Sequence, residues 1–485
     1  MSDQFFDVLI IGAGISGVGM GCHLARECPN KSFAILERRQ AIGGTWDLFK
    51  YPGIRSDSDM FTFGFNFKPW TEPKVLADGP SIKQYVTETA EEYGVKDKIQ
   101  FGVKITKASW NSEQNQWLLQ AENEADGSPL TFRCNFLVPC TGYYNYDQGY
   151  MPDYAGVERY QGQLIHPQHW PEALDYSGKK VVVIGSGATA VTLVPAMADK
   201  AAHVTMLQRS PTYIISVPAL DMMAKAMQKF LPEKWVYRIS RRRNIAIQLA
   251  IYYGAKRFPN FFRKMLLGGV RKQVPADQMR HFTPSYAPWD QRLCAVPNGD
   301  LFKAIRDGHA SVVTDHIDTF TETGLQLKSG ATLDADIIVS ATGLNVRMLG
   351  GIEMDVDGEV REPKGVLTYK AVLVQDAPNL AAVFGYTNAP WTLKADLAAG
   401  YICRLINHMD QHGYQSVRPR DTEGCAISEE SVMDALNSGY VKRGAPNLPR
   451  QGTKEPWRVM NHYKSDKKML LKAPIDDGHL EFGKA

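Results

Sequence analysis

The stretch that decides the fold reads Val181-Val182-Val183-Ile184-Gly185-Ser186-Gly187-Ala188-Thr189-Ala190. Four apolar residues in a row are typical of a parallel strand that is covered on both faces. The glycines that follow allow a tight turn before a helix begins. A strand, a glycine turn and a helix start in this order hold a dinucleotide pyrophosphate on the helix amides. The contacts predicted for this second nucleotide cradle are Gly185, Ser186, Gly187, Ala188 and Thr189.

The same pattern stands near the beginning of the sequence. Phe5 to Ile11 is apolar apart from Asp7, a glycine turn follows, and a second apolar run ends at Glu37. A lone G-x-G-x-x-G is a weak signal, whereas strand, turn, helix, strand and terminal acid together are a strong one. The carboxylate suits an unphosphorylated ribose, as in FAD or NAD. The contacts predicted for this first nucleotide cradle are Gly12, Gly14, Ser16, Gly17 and Glu37; the alternative is a mere tight turn.

The strand after the second glycine turn ends differently, in Gln208-Arg209-Ser210. From Gly12 to Glu37 is 25 positions and from Gly185 to Arg209 is 24, so the architecture repeats while the charge is reversed. An acid would repel a ribose phosphate, whereas a guanidinium can bind it through two hydrogen bonds. The pattern therefore predicts NADP in the second cradle, held by Gln208 and Arg209. The alternative is that Arg209 is a solvated surface arginine.

Length and composition limit the protein class. A chain of 485 residues is too long for one compact core, so two or three domains are expected. With 44% hydrophobic residues, 22% charged residues and a formal net charge of +3, neither general disorder nor nucleic-acid binding is indicated. Seven cysteines without a C-x-x-C pair indicate a reducing compartment. No signal peptide and no apolar run near the roughly 20 residues of a bilayer span are seen, so a cytoplasmic protein is expected.

The segment between the two halves carries a further motif. It places Gly162, His166, Trp170 and Pro171 at the spacing G-x-x-x-H-x-x-x-W-P. This spacing between two dinucleotide domains resembles the fingerprint of the type I Baeyer–Villiger flavin monooxygenases, which usually have Phe where this chain has Tyr160. A later segment, Trp289-Asp290-Gln291-Arg292-Leu293-Cys294, closely resembles the branch of the mycobacterial monooxygenase that activates the thioamide prodrug ethionamide. The fingerprint implies that His166 links cofactor positions across the joint between the two domains instead of acting as an acid or base.

The resemblance also assigns the flavin. Gly43 to Asp47 and Tyr51 to Asp57 are similar to the family's flavin-ring segment, which implies FAD in the first cradle. The implied FAD contacts are Gly44, Thr45, Trp46, Asp47, Arg55, Asp57 and, near the adenine, Ile105. Taken alone, Trp46 and Ile105 are also typical of a core, and Asp57 of a turn.

Pro288 to Asp300 resembles the family segment that carries the active-site arginine, and Arg292 aligns with that residue. The implied role is to stabilise negative charge on the attacking oxygen, because a guanidinium keeps its proton at working pH. Asp57 is the candidate to orient Arg292. Gln291 stands where other members have a Lys that helps hold the NADP phosphate, which leaves the strength of the NADPH preference open. The alternative for Arg292 is an interdomain salt bridge.

A basic segment has no counterpart in the first half. Residues 234–273 contain eleven Lys and Arg and no acid, interleaved with large apolar residues. One interpretation is an amphipathic helical subdomain with a solvated basic face. The other is peripheral contact with an anionic membrane, at its inner face. Nucleic acid is not expected as a partner because no recognition fold accompanies the charge.

We predict an α/β fold with two Rossmann-like dinucleotide-binding domains, one for FAD and one for NADP, and a helical insertion in the second. The predicted limits are 1–145 and 344–485 for the FAD domain, 146–215 and 282–343 for the NADP domain, and 216–281 for the insertion. Residues 72–97 are predicted to be helical, and residues 98–140 to form several strands. No metal site is predicted.

The resemblance implies an enzyme that uses FAD, NADP(H) and dioxygen. Through a flavin peroxide it would insert one oxygen atom into a ketone, giving an ester or lactone, and it would oxidise sulfides too. Three alternatives stay open: a flavin monooxygenase acting mainly on soft nitrogen or sulfur atoms, a flavin disulfide reductase, and a peripheral membrane protein with vestigial cofactor sites. The sequence leaves the individual ketone or sulfide and the oligomeric state open.

Overall fold

The computed structural model describes residues 4–291, 293–425, 427–434 and 438–484. Its α-helices are α1 Ile15–Glu27, α2 Thr45–Leu48, α3 Met60–Phe63, α4 Gly79–Glu92, α5 Ala188–Ala198, α6 Met222–Met227, α7 Glu233–Arg257, α8 Pro259–Arg271, α9 Asp300–Arg306, α10 Trp391–His412, α11 Gly439–Gly444 and α12 Tyr463–Leu471. Its strands are β1 Gln4–Ile11, β2 Phe33–Glu37, β3 Ile99–Phe101, β4 Val103–Asn111, β5 Gln116–Asn123, β6 Pro129–Pro139, β7 Gln163–Ile165, β8 Lys180–Ile184, β9 His203–Gln208, β10 Ile214–Val217, β11 Cys294–Pro297, β12 Ala310–Thr314, β13 Ile317–Thr321, β14 Gly324–Leu327, β15 Thr332–Asp334, β16 Ile337–Ser340, β17 Glu353–Val356, β18 Glu359–Val360, β19 Thr368–Tyr369, β20 Leu373–Val374, β21 Ser416–Pro419, β22 Ile427–Ser431, β23 Arg450–Gly452 and β24 Leu480–Gly483.

The first large sheet has eight strands in the order β18-β17-β4-β5-β6-β1-β2-β3. β3, β2, β1 and β6 run parallel, and β6, β5 and β4 form an antiparallel meander. Along β1, Val8 and Ile10 pack into one hydrophobic core while Leu9 and Ile11 pack into another. Because both faces are covered, every residue of this run is apolar.

The second large sheet has five parallel strands in the order β12-β9-β8-β16-β7. Along β8, Val181 and Val183 face one core, and Val182 and Ile184 face another. Burying a valine or isoleucine side chain contributes roughly 1.5–3 kcal/mol, which explains why the whole run is apolar. The mixed α/β class is thus confirmed, whereas the domain limits stay a prediction.

Each sheet has a glycine turn packed against the end of a neighbouring strand. Gly12 has φ +101°, and a Cβ there would lie 2.9 Å from the carbonyl oxygen of Cys140. Gly185 has φ +136°, and a Cβ there would lie 2.5 Å from the carbonyl oxygen of Ala341. Only glycine combines this backbone conformation with so close an approach. The two halves of the chain therefore build the same turn in the same way.

The helical insertion, α6 to α8, lies between β10 and β11, which pair in parallel. Its longest helix, α7, packs on α3 of the first half. Tyr237 donates its hydroxyl hydrogen to the Phe65 carbonyl at 2.7 Å, and Arg241 donates to the carbonyls of Phe61 at 2.9 Å and Gly64 at 2.7 Å. The insertion thus ties the second half of the chain to the first.

The last third of the chain returns to the first sheet. β17 pairs with β4, and α10 packs along α1 in the largest hydrophobic core. The described part of the chain contains no helix that is both long and apolar enough to cross a membrane.

Candidate active site

A cavity of about 570 Å³ opens between the first glycine turn and the start of α5, the helix that follows the second glycine turn. The first turn and the start of α5 contribute to its wall, as does the joint between the halves. The predicted contacts that line it are Gly14, Ser16, Thr45, Trp46, Arg55, Asp57, His166, Ala188 and Thr189. The structure therefore brings residues from three distant motifs around one space.

Other predicted residues lie outside the wall of this cavity. They are Gly12, Gly17, Glu37, Gly44, Asp47, Ile105, Gly162, Trp170, Pro171, Gly185, Ser186, Gly187, Gln208 and Arg209. Among them, Ile105 is buried in a core of the first sheet. Arg292 lies outside the described residues.

The first cradle is held by a buried carboxylate. Glu37 accepts a hydrogen bond from the Ala13 amide at 2.6 Å and another from the Arg39 amide at 2.8 Å. Burial raises the pKa of Glu37 above its ordinary value, against the effect of these two amides. The acid at the end of β2 thus fixes the glycine turn.

Asp47 is engaged by two cations. It lies 2.6 Å from the Lys83 ammonium and 2.6 Å from an Arg39 guanidinium nitrogen. Burial would raise the pKa of Asp47, but the hydrogen bonds from Lys83 and Arg39 hold it below its ordinary value. Its carboxylate therefore stays ionised and is committed to these partners.

The segment after the first cradle presents aromatic side chains to the cavity. Trp46 packs edge-on against Phe63, with ring centroids 5.7 Å apart. The Thr45 hydroxyl lies 2.6 Å from the Tyr144 hydroxyl. Trp46 is thus held by core contacts on one side while the cavity lies on the other.

Two aromatic residues outside the set of predicted contacts close the cavity over the first turn. Trp391, the first residue of α10, donates its indole hydrogen to the Ser16 hydroxyl at 2.7 Å. Tyr143 stacks on Trp391 with centroids 5.4 Å apart. Neither side chain was among the predicted contacts, and no local pattern indicates Tyr143.

Arg55 bridges the two halves of the chain. It lies 2.6 Å from a carboxylate oxygen of Asp300, the first residue of α9. Both side chains are largely buried: 14% of the Arg55 side chain and 30% of the Asp300 side chain are exposed. Arg55 thus lines the cavity while its guanidinium is paired across the joint.

Asp57 also lines the cavity, on the segment that follows Arg55. Gln291 and Leu293 line the same cavity from the second half of the chain. The two neighbours of position 292 and the carboxylate predicted to orient Arg292 therefore belong to one wall.

His166 fastens the joint to the second sheet. Its Nδ1 accepts a hydrogen bond from the Gln168 amide at 3.2 Å, so Nε2 carries the hydrogen and donates to the Gly343 carbonyl at 3.1 Å. Burial lowers the pKa of His166, which keeps the ring neutral. A Cβ on Gly149 would lie 1.9 Å from the ring, so glycine is required there.

The other residues of the joint motif, Gly162, Trp170 and Pro171, lie at its two ends. Gly162 packs so closely that a Cβ would lie 2.6 Å from the Asp336 carbonyl oxygen. Trp170 is partly buried against the core of the second sheet, and Pro171 is exposed.

In the second cradle Gln208 is turned inward. It donates to the His281 carbonyl at 2.7 Å and to the Thr314 hydroxyl at 2.9 Å, and it is buried. The Ser186 hydroxyl is 2.8 Å from that of Thr212. Arg209 is exposed beyond the end of β9. At this cradle the guanidinium of Arg209 faces outward, whereas the side-chain amide of Gln208 does not.

A second cation, Arg443 of α11, lies near the same cradle and was missed by the sequence analysis. Its guanidinium lies 3.5 Å from the centroid of the Tyr150 ring and 3.6 Å from the position of a Cβ on Gly343. Burial lowers the pKa of Arg443, and the positive charge of Arg209 lowers it further. The positive charges of Arg443 and Arg209 are therefore close enough to interact.

Helix α7 forms a further part of the wall that no motif indicated. Gln248, Ile251 and Tyr252 line the cavity, and Gln248 donates to Asp59 at 2.6 Å. Asn244 donates to the same carboxylate at 2.8 Å. Burial raises the pKa of Asp59, so the helical insertion brings a perturbed acid to the cavity edge.

These residues fit the two predicted cofactors. The first cradle is a close-packed glycine turn with an acid at its strand end, and a Cβ on Gly187 of the second would meet no atom within 4 Å. The second cradle carries cations where the first carries an acid. Of the seven cysteines, all free, only Cys140 lines the cavity within the described residues, and burial raises its pKa. A lone, protonated thiol does not provide the redox pair of a disulfide reductase.

Comparison with known proteins decides the family. Residues 6–375 match the model of the FMO-like family, described as flavin-binding monooxygenase-like. This chain belongs to that family. It is 58% identical over 488 residues to MymA of Mycobacterium tuberculosis, named as an FAD-containing monooxygenase, covering 100% of this chain and 98% of that protein.

Two further comparisons agree. The FAD-containing monooxygenase EthA of Mycobacterium tuberculosis is 50% identical over 487 residues, covering 99% of this chain and 98% of EthA. A solved structure of an oxidised steroid monooxygenase bound to NADP superposes with a TM-score of 0.80 at 21% identity, covering 99% of this chain and 100% of that one. The predicted enzyme class, a flavin-dependent monooxygenase, is confirmed. The predicted FAD and NADP(H) agree with the cofactors named for these proteins.

Proposed function

We propose that the protein is an NADPH-dependent Baeyer–Villiger monooxygenase. It converts a ketone, dioxygen, NADPH and a proton to an ester or lactone, water and NADP⁺, and it oxidises sulfides as a second activity. The observation that carries the proposal is that both cradles open into one cavity, with Asp57 and the neighbours of position 292 in its wall. FAD, once reduced, supplies the electrons that activate dioxygen there.

Each group of residues has a distinct role in this reaction. The turns at Gly12 and Gly185 bind the two pyrophosphates on main-chain amides. Glu37 accepts hydrogen bonds from the FAD ribose, while Arg209 and Arg443 bind the ribose phosphate of NADPH. These two cations compensate for Gln291, which carries no charge.

Arg292 stabilises the negative charge that develops on the reacting oxygen, and Asp57 orients it. A fixed cation in a site that excludes water gives large electrostatic stabilisation. Trp391 and Tyr143, stacked over the first turn, exclude water from this side. His166 stays neutral and holds the joint, so it transfers no proton.

The test supplies a ketone and a thioether separately, with NADPH and isotopically labelled dioxygen. The proposal expects one labelled oxygen atom in an ester or lactone. Labelled sulfoxide without any ester, across a panel of cyclic and linear ketones, would contradict it and favour an enzyme for soft nitrogen and sulfur atoms.

Arg292→Ala is expected to lower ester formation by about 10²–10³-fold, as for a lost oxyanion donor. Arg361→Ala removes an exposed arginine whose ion-pair partner is Glu359 and serves as the matched control. Equal losses in the two variants would refute the role of Arg292.

We further propose that the reaction takes place in the cytoplasm. All seven cysteines are free and buried, as expected for a protein of a reducing compartment.

A further inference from the structure

The helical insertion concentrates the exposed apolar side chains of this protein. Within the described residues seventeen large apolar side chains are exposed, and eleven of them fall between residues 222 and 265, less than a tenth of the chain. They are Met222, Met223, Phe230, Leu231, Trp235, Ile239, Ile247, Tyr253, Phe258, Phe261 and Met265. Phe230 is 85% exposed and Phe261 64%. So many exposed apolar groups in one segment mark a contact surface.

The same segment is strongly cationic. Residues 222–272 contain thirteen Lys and Arg and one acid, Glu233. Four of the cations have internal partners: Arg241 with main-chain carbonyls, Arg243 with Asp221, Lys256 with Asp290 and Arg263 with Tyr213. Nine are exposed: Lys225, Lys229, Lys234, Arg238, Arg242, Arg257, Lys264, Arg271 and Lys272.

The exposed apolar residues of the insertion are not needed for packing inside the protein. On α7 the inward face is already occupied, because Tyr237 and Arg241 bind the carbonyl groups around α3. Trp235, Ile239 and Tyr253 recur at helical spacing on the opposite face. The apolar outward face is therefore additional to what the fold needs.

Cations and apolar rings are paired on this surface. The Arg238 guanidinium lies 5.6 Å from the centroid of Trp235, and that of Arg257 lies 5.3 Å from the centroid of Phe258. Such pairs suit the headgroup region of a bilayer, where aromatic rings enter the boundary and cations meet phosphates.

We propose that the outward surface of α6 to α8 docks on a bilayer of anionic phospholipids. The charge selects this partner. A second copy of the chain would bring the same nine exposed cations face to face, and nucleic acid would leave Phe230, Phe261 and Met222 without apolar partners. An anionic bilayer satisfies both the cations and the apolar side chains.

Docking would place the bilayer next to the wall of the cavity. The inward side of α7 lines that cavity with Gln248, Ile251 and Tyr252, whereas its outward side carries Trp235 and Ile239. On this arrangement, which rests on the proposed function, the enzyme acts on ketones and sulfides that partition into membranes.

The docking test uses the full-length, FAD-containing protein and needs no turnover. Vesicles of equal parts phosphatidylglycerol and phosphatidylcholine are sedimented with the protein, beside vesicles of phosphatidylcholine alone. Binding to the anionic vesicles is expected, weakening as salt rises, with little binding to the neutral ones. Absence of binding to anionic vesicles, or equal binding to both, would overturn the proposal.

Two sets of variants separate the contributions. Met222→Ser, Phe230→Ser and Phe261→Ser combined are expected to weaken binding at least tenfold, whereas Val360→Ser, which removes a 62% exposed apolar side chain elsewhere, keeps it. Arg238→Gln with Arg242→Gln is expected to cost about fivefold for each charge. A combined apolar variant that binds as the parent does would refute the docking surface, as would a parent that sediments equally without vesicles.

Oxidation of a water-soluble ketone without vesicles serves as the independent readout. The combined apolar variant is expected to keep this activity, since its changes lie on the outward surface. Lost vesicle binding with retained oxidation identifies the surface as a docking site; oxidation failing in every variant and in the parent refutes the proposed function and leaves the binding result intact.

Discussion

At the scale of single residues, Glu37 shows how one side chain fixes a cradle. Both of its carboxylate oxygens accept backbone amides, from Ala13 and Arg39. In Glu37→Gln the new NH₂ group faces one of these donors, so an unpaired buried donor costs about 1–3 kcal/mol. We expect a lower melting temperature and loss of flavin absorbance in the purified protein. Glu353→Gln, an exposed change on β17, should retain both, and full flavin content in Glu37→Gln would disprove the role.

The cations of the second cradle predict how the nicotinamide cofactors are discriminated. Arg209→Ala removes the exposed guanidinium at the end of β9, and Arg443→Ala removes its neighbour. Each is expected to raise the KM for NADPH about tenfold or more, because a charge-assisted contact with the phosphate contributes about 1.5–3 kcal/mol. The KM for NADH should stay unchanged, since NADH lacks this phosphate. Steady-state kinetics with both cofactors checks this, and parallel increases for NADH would contradict it.

At the scale of elements, a buried charge network joins three helices. Asp396 of α10 lies 3.6 Å from Arg241 of α7 and 3.5 Å from His23 of α1. Asp396→Asn leaves Arg241 buried without its counter-charge, which is expected to lower the free energy of unfolding by about 3–5 kcal/mol. Asp410→Asn is the matched control on the same helix, because Asp410 pairs with Lys31 at the surface and should contribute at most about 1 kcal/mol. Denaturant titrations measure both.

The pH dependence of stability gives the same network a second readout. Burial alone would lower the pKa of His23, but hydrogen bonds to Asp396 and Glu27 raise it from 6.5 to about 9. A raised pKa stabilises the fold fully below pH 6.5, and this contribution is lost as pH rises toward 9. The slope over this window should be smaller in Asp396→Asn than in the parent. Equal slopes in Asp396→Asn and the parent would show that Glu27 alone raises the pKa of His23.

The elements that could be predicted from sequence are those whose cause is local. The turns at Gly12 and Gly185 need glycine for their own backbone, so the pattern reveals them. The helix expected over 72–97 is shorter, because Asp78 caps it by accepting from the Ser81 amide and Tyr93 ends it. Within the region 98–140, predicted to form several strands, Gly102 with its φ of +73° separates β3 from β4.

What could not be predicted comes from pairs that are distant in sequence. Trp391 meets Ser16 across 375 positions, and the guanidinium of Arg443 in α11 lies 3.5 Å from the centroid of the Tyr150 ring. The sequence around either residue of such a pair does not indicate which distant residue it contacts. The inward turn of Gln208 has the same origin, because its acceptors lie on segments far along the chain.

At the scale of the whole molecule, the two cradles must face each other at a fixed distance for electrons to pass from NADPH to the flavin. Two features hold them. α7 anchors the insertion of the second half to the first, and Arg55 pairs with Asp300 across the joint. The ion pair reports on domain placement because each partner belongs to a different half.

Asp300→Asn tests this coupling. The change keeps the shape of the side chain but removes the charge that Arg55 faces, so the halves are expected to sample a wider range of placements. Flavin content should remain that of the parent, because the glycine turn at Gly12 and the acid Glu37 are unchanged, while anaerobic flavin reduction by NADPH should slow about tenfold. Asp307→Asn is the matched control, since Asp307 follows the same helix and pairs with its neighbour Lys303 at the surface. If both variants reduce the flavin as fast as the parent, the contact between α7 and α3 alone sets the placement of the cradles.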